Sequence, residues 1–424
     1  MLYIYSEYIS NRLIYTLNFI FKERGVDYLL CDDFVTFGRL NEKRLNYSDR
    51  HFENVVKITP SPLLFETKIQ EYTISSKPFH GIDCLQLDDT LDPIASIFFI
   101  LSRMEEYYSK ALDKHSRFEG KNSTLYKLGW HEAAVCDRWS NTILDLLSIP
   151  VDSKGQNFQF LPTFDIDNAY AYKHKGAIRT SLANFRDALL GRTKNLIERQ
   201  QVLSRLKKDP FDTYTIIEDT IKNGHSVLLF WLLGDYSKYD KNCSYKHPKH
   251  QTLIKRMSEQ AEIGIHPSYK SNSYYYYLHE EIERLEEITG KNINKSRQHY
   301  LKLVFPLTYQ TLINQEITHD YTMGYHDIVG FRAGTARTFH WFDLSTNEVT
   351  KLQVHPFMYM DGTFNQYLKF SVEEAKIKTS SLHEEVQRYG GDFIFIWHNE
   401  TLGNNDKWKG WLSLFEYTLS LNEK

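Results

Sequence analysis

From Phe160 onward short, almost wholly apolar runs, with polar residues clustered just after them, alternate with helical stretches, without an internal repeat. The runs FLPTFDID, HSVLLFWLLGD, EIGIHPS, HYLKLVF and DFIFIWHN read as buried strands. Between them lie helices such as YYYYLHEEIERLEEIT at 274–289. There Leu278, Ile282, Leu285 and Ile288 line one face and Gly290 is a stop signal. Strands alternating with helices predict an α/β architecture with a parallel sheet or barrel. The polar residues at the run ends are Asp165, Asp167, His266, Arg297, His299 and His398. On such a barrel they converge on one face, where α/β barrels carry their chemistry.

The first 150 residues have a different texture. Short strand-like runs (LYIY, DYLLC, VVKIT, IDCLQL) alternate with helices, the first from Asn11 to about Arg24 with Gly25 beyond it. Asp92 and Pro93 are an N-cap and first-turn pair opening a helix through DPIASIFFILSRMEEYYSK. Residues 112–130 read as a polar loop, and 131–147 as helical in the second half. This half shows no catalytic spacing. At ~100–200 residues per domain, 424 residues suit a smaller N-terminal α/β domain at 1–150 and a larger unit at 155–424. The turn-rich segment 148–159 is the boundary candidate.

Composition excludes several classes. Lys+Arg is 51 and Asp+Glu 54, a net of −3, so the whole-chain balance gives no footprint for nucleic acid or an anionic membrane. Cys31, Cys84, Cys136 and Cys243 lie far apart with no CxxC pair, which argues against a disulfide framework or a cysteine zinc site. MLYIYSEYIS lacks the basic and apolar regions of a signal peptide. The longest apolar run, VLLFWLL at 227–233, is far below the ~18–20 residues of a membrane span. The expectation is a cytoplasmic protein without an integral membrane segment. Aromatics make up 15%, enough to supply sugar-stacking surfaces as well as core.

The chemistry-bearing residues form an ordered set. Asp165 and Asp167, at i and i+2, leave a strand on the same side, where two carboxylates need a cation or a proton between them. A divalent metal meets that need and frees one carboxylate as a base; two capping aspartates are the plainer alternative. His266, fixed between an apolar run and Pro267, suits zinc or a neighbouring borderline metal, or a core histidine. Arg297 and Arg332 can keep a carboxylate ionised or form structural ion pairs. His398, ending the last run, can protonate a leaving group near neutral pH.

Asp-x-Asp first, His mid-chain, Arg next and His last resembles the polysaccharide deacetylases, the NodB-like carbohydrate esterases of family four. The phrases GFRAGTARTFHWFDL, VHPFMYMDGTF and WHNETLG resemble a bacterial subgroup, and DPIASIFFILSRMEEY and DKHSRF its uncharacterised N-terminal accessory domain. The resemblance spans about 155–424 and implies an irregular (β/α)7 barrel and a metal-dependent deacetylase acting on a polysaccharide or glycan precursor. It implies Asp165 as base, Asp167 and His266 as ligands of a divalent ion, most simply zinc, Arg297 as the residue orienting the base, and His398 as general acid. The family's second motif carries another His four residues after the first, and here that position is Lys270, a charge that would weaken metal binding. His299 is the candidate replacement, with Ser268, Ser271 or waters as competitors. Arg332, Trp397, Tyr269, His355 and Asp361 are candidate substrate contacts. An inactive, glycan-binding descendant is the alternative function. A different amidohydrolase would show a His-x-His at the first strand, and none is there.

Overall fold

The computed structural model describes residues 1–150, 158–272 and 274–423. Most of the expected boundary segment 148–159 lies outside the described residues.

The first 150 residues fold as expected into α/β structure. β1 (Leu2–Tyr5), β2 (Tyr28–Cys31), β3 (Lys43–Asn46) and β4 (Val56–Lys57) form a parallel sheet ordered β2-β1-β3-β4. β5 (Ile74–Phe79), β6 (Ile82–Leu87) and β7 (Thr90–Leu91) form an antiparallel sheet. The first helix, Asn11–Ile20, is capped by Ser10, passes into a turn at Lys22–Arg24 and stops at Gly25, whose φ is 71°. The Pro93–Leu101 helix is capped by Asp92 and buries all nine of its residues. It does not run on to Lys110 as expected. Arg103 adopts a φ of 54° and turns its guanidinium inward to Glu105 and Glu106, and a new helix starts at Met104. A buried guanidinium needs its carboxylate partners more than an unbroken helix.

The larger sheet has nine strands. They are β8 (Phe158–Ile166), β9 (Leu228–Trp231), β10 (Glu262–Ile265), β11 (Lys295–Ser296), β12 (His319–Asp320), β13 (Phe339–Asp343), β14 (Glu348–Val354), β15 (Tyr359–Met360) and β16 (Gly391–His398). The order is β13-β14-β12-β11-β10-β9-β8-β16-β15, parallel throughout except for β13 against β14. β13 and β15 are its edges, so the mixed α/β class is as expected, while among the described residues no strand pairing closes the sheet into the irregular barrel expected. The run HYLKLVF is not a strand. Pairing ends at Ser296, and His299–Leu301 is a turn with Tyr300 and Leu301 at φ 63° and 53°. The expected helix at 274–289 is present as Tyr275–Thr289, ending at Gly290 with φ 67°.

One buried apolar cluster runs from Leu2 to Phe415, so both halves of the chain share a core. The GFRAG segment is the seam. Phe331 N–H donates to His131 O at 2.7 Å, and Cys136 N–H to Gly334 O at 2.9 Å. Among the described residues no helix is long and apolar enough to cross a membrane. All four cysteines are free.

Candidate functional site

The central strand order β11-β10-β9-β8-β16 sets the C-terminal ends of five parallel strands side by side. Asp165 is level with His398 across β8 and β16, and Ile265 with Ser296 across β10 and β11. The residues immediately beyond those ends therefore meet at one rim. Gly264 makes the approach possible, since a Cβ there would lie 2.6 Å from the Phe230 ring and 2.8 Å from Lys295 O.

Asp167, His266 and His299 offer ligand atoms that all lie within 4.8 Å of one another. His266 Nδ1 stands 2.6 Å from Arg297 O, and His299 Nδ1 3.0 Å from Asp240 Oδ1. Those partners only accept, so each Nδ1 carries the proton and each Nε2 is left with a lone pair when the ring is neutral. The two Nε2 atoms face Asp167, at 3.0 Å from Oδ1 for His266 and 3.4 Å from Oδ2 for His299. Asp167 Oδ1 is buried and makes no hydrogen bond despite that 3.0 Å contact. Lone pairs converging without a proton geometry, with both rings oriented from behind, are what a divalent cation requires of its ligands. One carboxylate with two imidazoles suits zinc and its borderline neighbours. The residues fit the implied metal, and His299, not position 270, stands beside Asp167 and His266. Lys270 itself is exposed, with its Nζ over the Tyr277 ring at 3.8 Å.

Burial pushes His299 down, but Asp167 and Asp240 outweigh it and lift the imidazole to about 9. Burial likewise opposes ionisation of Asp167, yet His299, His266 and His398 hold it well below the usual carboxylate range. This mutual pull is that of a metal-free cluster, in which protons occupy the cation's place.

Two further pairs flank the cluster. Arg297, fully buried, donates from Nη1 to Asp165 Oδ1 at 2.9 Å and from Nε to Tyr321 O at 3.0 Å. Asp165 Oδ2 lies 3.8 Å from His266 Nε2. His398 Nδ1 is 2.9 Å from Asp361 Oδ1, which turns Nε2 toward Asp167 Oδ2 at 3.8 Å. Burial lowers the His398 pKa, but Asp361 and Asp167 carry it well above the ordinary histidine value.

The pocket over these groups has a volume of about 440 Å³, within the ~300–1,000 Å³ of small-molecule sites. Asp165, Asp167, His266, His299, Asp361 and His398 all line it. Arg297 stands just behind. The other expected contacts fall outside the lining. Trp397 is fully buried against Phe415, because neighbours on β16 point to opposite faces and His398 takes the pocket side. Arg332 is buried at the seam, with Nε donating to Glu106 Oε1 at 2.9 Å. His355 lies beyond β14, stacked on Tyr321 at 4.2 Å and bonded to His319 and Thr338. Tyr269 backs the wall, its ring 4.2 Å from Tyr239 and 5.3 Å from Tyr300, which do line the pocket.

Sequence reasoning missed Asp240, since a carboxylate behind a ligand obeys no spacing rule. It missed Glu400, raised by burial, although this pocket residue is only two positions after His398. It also missed Arg117, in the N-terminal half. Arg117 Nη1 donates to Tyr300 O at 3.0 Å, and Nη2 to Asp113 at 2.7 Å and Tyr367 Oη at 3.2 Å.

Among known proteins, residues 2–149 match DUF7033, a family of unknown function. No curated protein matches the chain. Solved structures that are similar include the following two. One is a Mycobacterium smegmatis protein assigned as a polysaccharide deacetylase, at 14% identity and a TM-score of 0.41, covering 63% of this chain and 86% of that one. The other is a de-N-acetylase from Aggregatibacter actinomycetemcomitans, at 12% identity and a TM-score of 0.23, covering 40% of this chain and 88% of that one.

Proposed function

We propose that the chain is a metal-dependent deacetylase that removes acetyl groups, N-acetyl foremost, from a glycan. The observation that carries this reading is the convergence of Asp167, His266 and His299, each imidazole held from behind, beside one carboxylate and one carboxylate-backed imidazole. Asp167, His266 and His299 would hold a divalent ion, most simply zinc. Such an ion supplies a Lewis acid that polarises the acyl carbonyl and acidifies water.

The remaining chemistry belongs to the chain. Asp165 accepts the proton of the attacking water, and Arg297 holds that carboxylate in place. His398 carries its proton at neutral pH because Asp361 grips Nδ1. It delivers that proton from Nε2 to the leaving nitrogen. An amine leaves as a neutral molecule only when protonated, and His398 is placed to supply that proton. The tyrosines Tyr239 and Tyr300 offer faces for a sugar ring at the pocket wall.

The test is amine release from a panel of N-acetylated oligosaccharides by zinc-loaded and chelated protein. Release by the loaded form alone supports the proposal. Silence of both forms on N- and O-acetylated glycans that still bind would leave the glycan-binding alternative instead.

A further inference from the structure

The helices Ala177–Leu189 and Thr193–Leu203 form a hairpin between β8 and β9 that is built inside out. Ile178, Leu182, Phe185 and Leu189 recur at helical spacing and are 80%, 65%, 66% and 70% exposed. The inward face of the same helix is polar. Asp187 is fully buried on Arg199, which also donates to Asn184 Oδ1 at 2.6 Å. An ordinary surface helix does the reverse and turns its apolar stripe to the core. A continuous exposed apolar stripe of this kind marks an interaction site.

The charge around it identifies the partner. Residues 173–208 hold ten Lys and Arg against Asp187 and Glu198, a net of +8 by sequence, of which Lys173 and Lys194 pair with Asp212 and Asp406 outside the segment. The whole chain is −3, so everything else together is −11. The near-neutral total concealed this division. A groove at the hairpin is lined by Ile178 and Leu182 of the stripe together with Lys175, Arg179, Arg186 and Lys241. Lys241 also lines the catalytic pocket, so the hairpin flanks the pocket mouth.

We infer that the hairpin lies on an anionic lipid bilayer, with its apolar stripe in the headgroup region and its cations over the lipid phosphates. Exposed Phe and Leu on one face and dense Lys and Arg beside it are the chemistry of an interfacial helix. A second copy of the chain is disfavoured as occupant, since it would set +8 against +8. Docking in this way would present the pocket to glycans held at a membrane surface.

The experiment is co-sedimentation of the full chain with phosphatidylcholine vesicles, alone or with about a third phosphatidylglycerol. It needs neither substrate nor metal, so it stands or falls apart from the deacetylase reading. Expected is binding to the anionic vesicles that is lost at ~0.5 M salt. Leu182→Glu with Phe185→Glu should weaken binding at least about tenfold, and these exposed side chains should leave the melting curve unchanged. Lys207→Ala with Lys208→Ala should cost roughly fivefold per residue. Absence of wild-type binding, or equal binding by the Glu variant, overturns the inference. So does concentration-dependent self-association that the Glu variant abolishes while vesicles stay unbound.

Discussion

Replacing Asp240 by Asn probes the candidate metal centre without removing a ligand. Asp240 Oδ1 faces His299 Nδ1 at 3.0 Å and accepts from Tyr269 N–H at 2.9 Å, while Oδ2 accepts from Ser237 Oγ at 2.7 Å. Asn keeps Oδ1 for the first two and turns its amide toward a hydroxyl, so shape survives and charge is lost. Loss of such a supporting group costs about 10–100-fold in metal affinity, or ~1.4–2.8 kcal/mol. The pH dependence makes the test sharper. His299 sits at about 9 in the metal-free protein, so a proton must leave before Nε2 can bind. Wild-type affinity should climb about tenfold per pH unit and level off near 9. The sign follows from the raised value, with the proton-bound form dominant below 9 and competing with metal there. Without the Asp240 charge, His299 falls, competition weakens, and the plateau begins at lower pH. The deficit of Asp240→Asn should therefore be smallest near pH ~6 and widest near pH ~9. Zinc competition against a fluorescent chelator across that range reads it directly. Equal affinities at the alkaline end, with an unchanged slope, would refute the assignment of His299 as a ligand tuned by Asp240.

Four other outcomes are expected. Asp165→Asn should lower turnover by ~10²–10⁴-fold while zinc content stays at the wild-type level, whereas Asp167→Ala should empty the site, both read by metal analysis beside the activity assay. Asp361→Asn removes the group that raises His398. Because the acid works protonated and fails as pH rises through its pKa, the alkaline limb of the rate profile should move to lower pH; an unmoved limb excludes His398 as the acid. Arg332→Ala leaves the buried Glu106 with Arg103 as its one remaining cation among the described residues and should cost ~1–3 kcal/mol in thermal or denaturant unfolding, with no change in KM for the folded fraction. Arg117→Lys keeps the charge but loses the fork that grips Asp113 and Tyr300 O, and should weaken zinc binding with little change in melting temperature.

The parts of this molecule legible in the sequence were those with local causes. Apolar runs closing on polar residues fixed which side chains reach the rim, because a strand's end is marked in its own few residues. The Asp92 cap and the Gly25 and Gly290 stops were legible for the same reason. What escaped depended on distant partners. Arg332 looked like a pocket arginine until Glu106, 226 positions away, was seen beside it. Trp397 adjoins a catalytic candidate in sequence but faces the opposite way on the strand. The break at Arg103 comes from buried ion pairs that no helical periodicity records. An open parallel sheet and an irregular barrel share the same alternating pattern, and only the strand pairing separates them.

The same long-range logic bears on the first 150 residues. His299 ends a strand extension and is followed at once by two left-handed residues, Tyr300 and Leu301. For residues other than Gly, such a conformation costs ~1–3 kcal/mol each and persists only where the surroundings impose it. Here the restraint comes from Arg117, 183 positions earlier, which holds Tyr300 O while Asp113 locks its own fork. His115 of the same loop packs against Tyr239, Tyr269 and Tyr300. The N-terminal half thus fixes the turn that carries His299 and builds part of the pocket wall. That contribution is to geometry, made through one buried guanidinium and one loop, and geometry of this kind leaves no spacing in the sequence.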